Sequence, residues 1–403
     1  MDRINGLPDE VLVKILTFLP TKKAVSTSIL SKRWEFLWMW LPRLDYFIYI
    51  TKLGTKPVIR EFIEKTLPLH RAPVLECLRI GLSPTFEPKD FIRWIDIAVS
   101  RHVRELEISY VTKYGNLFPS SFFTCKSLVV LKLRLLVLRD VPSMASLPSL
   151  KTLLLQKVYF VNEELLQELL SICPVLEDLS VECAEDEDMD EFTISVPSLQ
   201  RLSLSIPYDW FLEGFEIDTP SLTYLKLHDW NEWDHYSLIK NMPKLREAYV
   251  IVKPFLLNSV INSITSVKRL TICSEDVYCD GFVFNQLEHL KLCGCQEESS
   301  NLLGQFLKDS PKLRVLDISV EGFHGDNCDG MVCWNQPSLV PECLLSSLQI
   351  FNWSQYSGRP QERDIAVYIL KNARHLKKAT ILADTDEHGV SNLQMIKELT
   401  LSP

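Results

Sequence analysis

The sequence predicts an α/β chain built as a curved solenoid, with a short helical module in front of it and an α/β cap behind. Three observations carry that reading. A leucine-bearing phrase returns at a fixed interval through the middle of the 403 residues. The first forty or so residues instead space their apolar side chains as helices do. After residue 320 the repeat breaks and a strand, helix, strand order takes over. The expected divisions are 1–43, 44–102, 103–320 and 321–403.

The phrase is clearest at Val175-Leu176-Glu177-Asp178-Leu179-Ser180-Val181, and it returns at Ser198 to Leu204, Ser221 to Leu227 and Lys312 to Ile318. Leu176, Leu199, Leu222 and Leu245 follow one another at steps of 23 residues, the period of leucine-rich repeats. Weaker copies begin at Val103, Leu128, Leu150, Val267 and Leu287. The last two apolar residues of each phrase are two apart, so they share one side of a short strand while the residue between them points away. A unit this short cannot bury its own apolar side, so neighbouring copies must stack. The intervening positions, Lys132, Leu154, Ser180, Ser203, Lys226, Tyr249, Thr271, Lys291 and Asp317, then form a row on the concave face. That row is chemically mixed and predicts a surface, not a reaction. The competing reading is a globular α/β protein with several similar buried strands.

A net charge of -9 without a basic stripe argues against a nucleic-acid binder. Met1 to Gly6 lacks the apolar core of a signal peptide, and no later apolar run is long enough to cross a bilayer, so no membrane partner is expected. Eleven scattered cysteines, among them Cys125, Cys173 and Cys273, suit reduced, buried thiols in a cytoplasmic or nuclear protein.

In the N-terminal module, Leu7-Pro8-Asp9-Glu10 places proline and acids where a helix begins, and Val11, Leu12, Ile15, Leu16 and Leu19 continue at helical spacing until Pro20. A second helix is expected from Thr21 or Lys22 through Ser28, and a third from Ser31, capped by its hydroxyl and carrying Trp34, Leu37, Trp38 and Leu41. So short a segment can hardly satisfy that much apolar surface internally. Either an exposed face awaits another protein, or these groups pack on the first solenoid turn as a cap.

Leu7-Pro8-Asp9-Glu10, Ile15 to Lys22, Thr27-Ser28-Ile29-Leu30-Ser31-Lys32-Arg33-Trp34 and Leu37-Trp38 together resemble the F-box of plant F-box/leucine-rich-repeat proteins. The fold expected is therefore a three-helix F-box, a curved leucine-rich-repeat solenoid and a C-terminal α/β cap. The resemblance implies docking on a Skp-type adaptor, with cullin and RING proteins joined indirectly. It assigns Leu7, Pro8, Ile15, Leu19, Leu30 and Trp34 to building or supporting the adaptor-binding face, without separating contact from core.

Leu44 to Ile50 reads as a strand or as the interface joining module to solenoid, followed by a helix over Ile59 to Leu67 and a strand over Val74 to Ile80. A helix from Phe91 to Ser100 feeds the strand Val103 to Ile108. Asn162 is positioned to cap a helix running to Leu170. The turns ending at Pro197, Pro220 and Pro243 have room only for extended chain or single turns. Glu182 to Glu191 holds seven acids in ten residues, either a solvated loop or a dock for a basic segment.

Two aromatic loops, Tyr208 to Leu212 and Trp230 to Tyr236, lie one repeat apart. Trp210, Trp230, Trp233, His235 and Tyr236, with Lys226 and His228 on the adjoining strand, are the expected substrate-binding edge. The alternative is that the tryptophans close the ends of the leucine core.

Cys293-Gly294-Cys295 and Cys273 lack the recurrent CxxC of a zinc site, so no metal is expected. With no phosphate loop, HExxH or GxSxG, no catalytic residue is nominated and no cofactor is expected.

In the last segment, Gly322 to Gly330 reads as a loop, Cys343 to Trp353 as a strand, Gln361 to Ala373 as a helix and Lys377 to Ile381 as a strand. Gly358-Arg359, the helix and Leu376-Lys377-Lys378 resemble the FBD region of many plant F-box/leucine-rich-repeat proteins, which physically can cap the open solenoid end or act as a separate recognition domain. A short closing helix is expected over Asn392 to Leu399. The resemblance implies the substrate-recognition subunit of an SCF-type ubiquitin ligase holding an unknown protein substrate, with no small-molecule glue expected. The alternative is a leucine-rich-repeat scaffold that recruits no ligase.

Overall fold

A computed structural model describes residues 4, 6–47, 56–82, 86–111, 118–184, 189–274, 276–295, 299–319, 331 and 334–383. The chain divides into two units, Met1–Ser198 and Leu199–Pro403.

The first unit opens with α1 (Asp9–Leu16) and α2 (Thr21–Ser26), and Pro8 and Pro20 stand at their N-caps. The α-helix expected to reach Ser28 stops at Ser26 and tightens into a 3-10 turn over Thr27–Ile29. The third helix, Trp34–Trp40, is 3-10 instead of α, and its N-cap is Arg33 with no side-chain cap, so the Ser31 cap is not formed. Three-residue winding aligns Trp34 with Leu37, and both are buried together with Trp38 and Met39.

Six strands of this unit run parallel in the order β1 (Arg43–Tyr46), β2 (Cys77–Leu82), β3 (Glu105–Tyr110), β4 (Val130–Arg134), β6 (Thr152–Gln156) and β8 (Asp178–Glu182). The short pair β5 (Val137–Leu138) and β7 (Tyr159–Phe160), and β9 (Glu191–Ser195), lie outside that run. Helices α3 (Lys56–Thr66), α4 (Pro88–Ser100) and α5 (Glu164–Ser171) connect them. The side chain of Asn162 accepts the Leu165 N–H at 3.0 Å, as its position predicts. Gln167 on α5 treats β9 as a neighbouring strand would, accepting the Ser195 N–H and donating to its carbonyl at 3.0 and 3.2 Å.

The free edge of β1 is covered by the N-terminal module: the Asp45 N–H donates to the Thr21 hydroxyl at 2.7 Å. The Arg71 and Ala72 N–H groups bond the Met39 carbonyl, and His70 bonds that of Leu41. The bond to Thr21 gives one N–H of that strand a partner.

In the second unit the parallel run is β10 (Arg201–Ile206), β12 (Tyr224–Asp229), β14 (Glu247–Ile251), β15 (Arg269–Cys273), β16 (His289–Cys293), β17 (Val315–Ser319), β18 (Ile350–Tyr356) and β19 (Lys378–Ala383). The extended chain expected before Pro220 and Pro243 is the parallel pair β11 (Gly214–Asp218) and β13 (Tyr236–Ile239). Ser259 and Ser263 of α6 (Pro254–Ile264) donate to the β13 carbonyls of Ser237 and Ile239. Helices α7 (Ser299–Asp309), α8 (Glu342–Ser346) and α9 (Pro360–Asn372) complete the unit.

The strand expected over Cys343 to Trp353 begins only at Ile350, because α8 takes its first residues and buries Cys343 and Leu344. The expected loop at 322–330, the closing helix and the acids at 185–188 lie outside the described residues. Within those residues β19 is the last strand of its run.

One device couples each turn to the next. The residue before a strand offers its carbonyl to two successive N–H groups of the following turn: Gln200 to Thr223 and Tyr224, Thr223 to Arg246 and Glu247, Arg246 to Lys268 and Arg269, and so on to Gln349 with Lys377 and Lys378. The leucines of the repeat are buried on one side of the strands, and the mixed row lies on the other, where Ser203, Lys226, Tyr249, Thr271, Lys291, Asp317, Asn352 and Thr380 stand in register. No helix among the described residues is long and apolar enough to cross a membrane.

Candidate functional site

Helix α1 has two apolar stripes. Leu12 and Leu16 are buried with Trp34, whereas Val11, Ile15 and Leu19 face solvent. Phe18, at 82 % exposure, Ile29, at 88 %, and Leu30 are exposed as well. Of the residues assigned to adaptor binding or core, Pro8, Ile15, Leu19 and Leu30 are thus exposed, Leu7 is half-buried, and Trp34 belongs to the core. Phe18 and Ile29 were missed, although each extends the helical spacing. Arg33 was missed as well: its guanidinium reaches Asp9 at 2.7 Å and the Leu7 carbonyl, tying the third helix to the start of α1.

In the second unit the two aromatic loops lie side by side. The Trp230 N–H bonds the Ile206 carbonyl and the Glu232 N–H that of Tyr208. The Tyr208 hydroxyl donates to Glu232, and Trp233 Nε1 donates to Asp209 at 3.0 Å.

The expected edge residues separate into two layers. Trp210 is closed to solvent and serves the core, the role proposed for the tryptophans by the competing reading. His235 is also buried, so neither offers a contact surface. Its Nε2 lies 2.9 Å from Asp229 Oδ2 and its Nδ1 2.9 Å from the Trp233 carbonyl. Asn231 completes the network by donating to the Trp210 carbonyl at 2.8 Å. Burial pulls the His235 pKa down, but the hydrogen bond and charge of Asp229 outweigh it and leave it raised.

The exposed layer is Tyr208, Phe211, Trp233 and Tyr236. Phe211 and Trp233 line an open cleft of about 460 Å³ whose other walls include Glu213, Glu232 and Asp234. Lys226 lies 5.7 Å above the Tyr249 ring, His228 is buried beside Tyr249, and Trp230 is half-buried. A larger cleft of about 810 Å³ runs between α7 and residues 337–342, away from these loops in sequence, with the Lys308–Asp280 ion pair in its lining.

Stacked parallel strands, a mixed outward row and exposed aromatic and apolar surfaces define a modular protein-interaction chain. Residues 4–46 match the F-box domain, residues 91–247 the leucine-rich repeats described for FBD-associated F-box protein At5g56370, and residues 336–381 the FBD. The chain is 66 % identical to FBD-associated F-box protein At5g38590 of Arabidopsis thaliana over 99 % of its own length and 98 % of that protein. It is 56 % identical to FBD-associated F-box protein At4g10400 of the same plant, over 100 % of this chain and 97 % of the relative. The chain belongs to the plant F-box/leucine-rich-repeat proteins with a C-terminal FBD region. Members of this family are non-catalytic adaptor and receptor proteins.

Proposed function

We propose that the chain is the substrate-recognition subunit of an SCF-type ubiquitin ligase of the cytoplasm or nucleus. The module at residues 4–46 docks on a Skp-type adaptor, and through it on cullin and RING proteins, while the second unit holds a protein substrate. One observation carries the reading: within the F-box match, Val11, Ile15, Phe18, Leu19, Ile29 and Leu30 remain exposed after Leu12, Leu16 and Trp34 have filled the core. An apolar surface left open in a soluble module marks an interaction site.

The chemistry of ubiquitin transfer resides in the partners, and this chain raises the local concentration of substrate lysines near them. Aromatic side chains beside carboxylates at Phe211, Glu213, Glu232, Trp233 and Asp234 favour a basic side chain of the substrate, through cation–π attraction and charge.

Calorimetry of the purified chain with a Skp-type adaptor tests the assignment. Saturable binding that disappears in Phe18→Ala/Ile29→Asp, with circular dichroism unchanged, is expected. Absence of binding where another F-box chain binds the same adaptor would leave a repeat scaffold without ligase recruitment.

A further inference from the structure

Three thiols that the sequence keeps apart meet in the second unit. Cys273 ends β15 and Cys293 ends β16, and strand alternation puts both on the side of Thr271 and Lys291, opposite the leucines. They are buried nonetheless, because Trp230 and Tyr249 pack against them beside Ile251. After Gly294 the chain brings Cys295 to the pair, its Sγ 2.9 Å from that of Cys293 and 3.5 Å from that of Cys273. All three sulfur atoms lie within 4.8 Å of one another.

Gly294 allows this return. A Cβ there would come 3.3 Å from Met331 Cε and 3.4 Å from Ile318 Cγ2, and its N–H bonds the Ser319 carbonyl at 3.0 Å.

We propose that Cys273, Cys293 and Cys295 form a three-sulfur site for a soft monovalent cation of copper(I) chemistry. An all-thiol donor set selects soft metals over magnesium, calcium or manganese. Structural zinc takes four protein ligands, and among the described residues the cluster gathers three thiols and no histidine or carboxylate. Copper(I) is satisfied by three sulfur donors.

All three cysteines give up their protons to solvent and bind as thiolates, so the loaded site carries two negative charges. A metal–sulfur bond of about 2.3 Å in a trigonal plane sets sulfur atoms about 4 Å apart, so Cys295 must draw back from Cys293 by about 1 Å, within reach of a side-chain rotation. Metal would fix the ends of β15 and β16 beneath Trp230, beside the aromatic loops, and Trp230 emission would report loading.

The test uses the full chain, reduced and handled without oxygen, titrated with copper(I) against a competing chromophoric copper(I) chelator. One copper(I) per chain, a three-sulfur shell by X-ray absorption and a change in tryptophan emission are expected. Cys273→Ser and Cys295→Ser should each weaken retention by about 100-fold or more, and Cys279→Ser, at the exposed cysteine, should leave it unchanged. Failure to hold copper(I) against the chelator, retention indifferent to both cluster variants, or a nitrogen and oxygen shell would overturn the proposal. The absorption shell of the unsubstituted chain decides the question even where a serine variant does not fold.

Discussion

His235 Nε2 sits 2.9 Å from Asp229 Oδ2 with neither side chain open to water, and this buried pair holds the second aromatic loop. Its raised pKa fixes the sign of the pH dependence. Protonated His235 favours the folded state, so the contribution is complete below the unfolded value of about 6.5 and is lost as pH rises through the higher folded value. Thermal unfolding from pH 5.5 to 9 should show the gap between the native chain and His235→Gln narrowing as pH rises. Asp229→Asn, which leaves the imidazolium without its buried counter-charge, should cost about 3 kcal/mol near pH 6. A gap that widens with pH would reverse the assignment.

The N-terminal module divides stability from binding. Leu16→Ala removes a buried side chain and should cost about 3 kcal/mol in urea unfolding. Ile29→Asp changes a side chain already in solvent and should shift stability by about 0.5 kcal/mol or less, yet weaken adaptor binding by about tenfold or more. Equal effects of the two on affinity would show that the exposed face is not the contact.

Arg79 joins two carboxylates of its neighbours in register, Asp45 at 2.8 Å and Glu107 at 2.9 Å. Glu107 is almost wholly buried, and its other cation, Arg134, stands 3.5 Å away. Arg79→Met should therefore cost about 3 kcal/mol, and adding Glu107→Leu should recover part of it. Simple additivity in the double-mutant cycle would mean that the two side chains are not coupled.

Gly214 faces Tyr236 across the β11 and β13 pair, and a Cβ there would fall 2.3 Å from Tyr236 Cδ1. Gly214→Ala should destabilise by about 2 kcal/mol and displace the ring from the exposed aromatic layer. Gly214→Ala/Tyr236→Ala should be more stable than Gly214→Ala alone. No recovery in the double variant would place the strain elsewhere.

What the sequence determined by itself is whatever repeats or is local. The steps from Leu199 to Leu222 to Leu245 reappear as registered strands, with Leu202 opposite Leu225 and Leu225 opposite Ala248. Period and alternation are properties of adjacent residues, and the cap at Asn162 follows from backbone chemistry within one turn, whereas α1 ends at Leu16, short of the expected stop at Pro20, which stands instead at the N-cap of α2. Tertiary structure alone decided which apolar groups stay outside. Trp210 and Trp233 occupy similar loops one repeat apart, yet one is buried and the other open, because burial depends on what the next turn lays over each side chain. The same holds for Val11 against Leu12, whose helical pattern marks both as apolar and whose neighbours choose between them. Cys273 and Cys295 are the extreme case: CxxC spacing is a property of neighbours along the chain, whereas these thiols meet across it, since parallel stacking turns a separation of one repeat into a distance of a few ångströms.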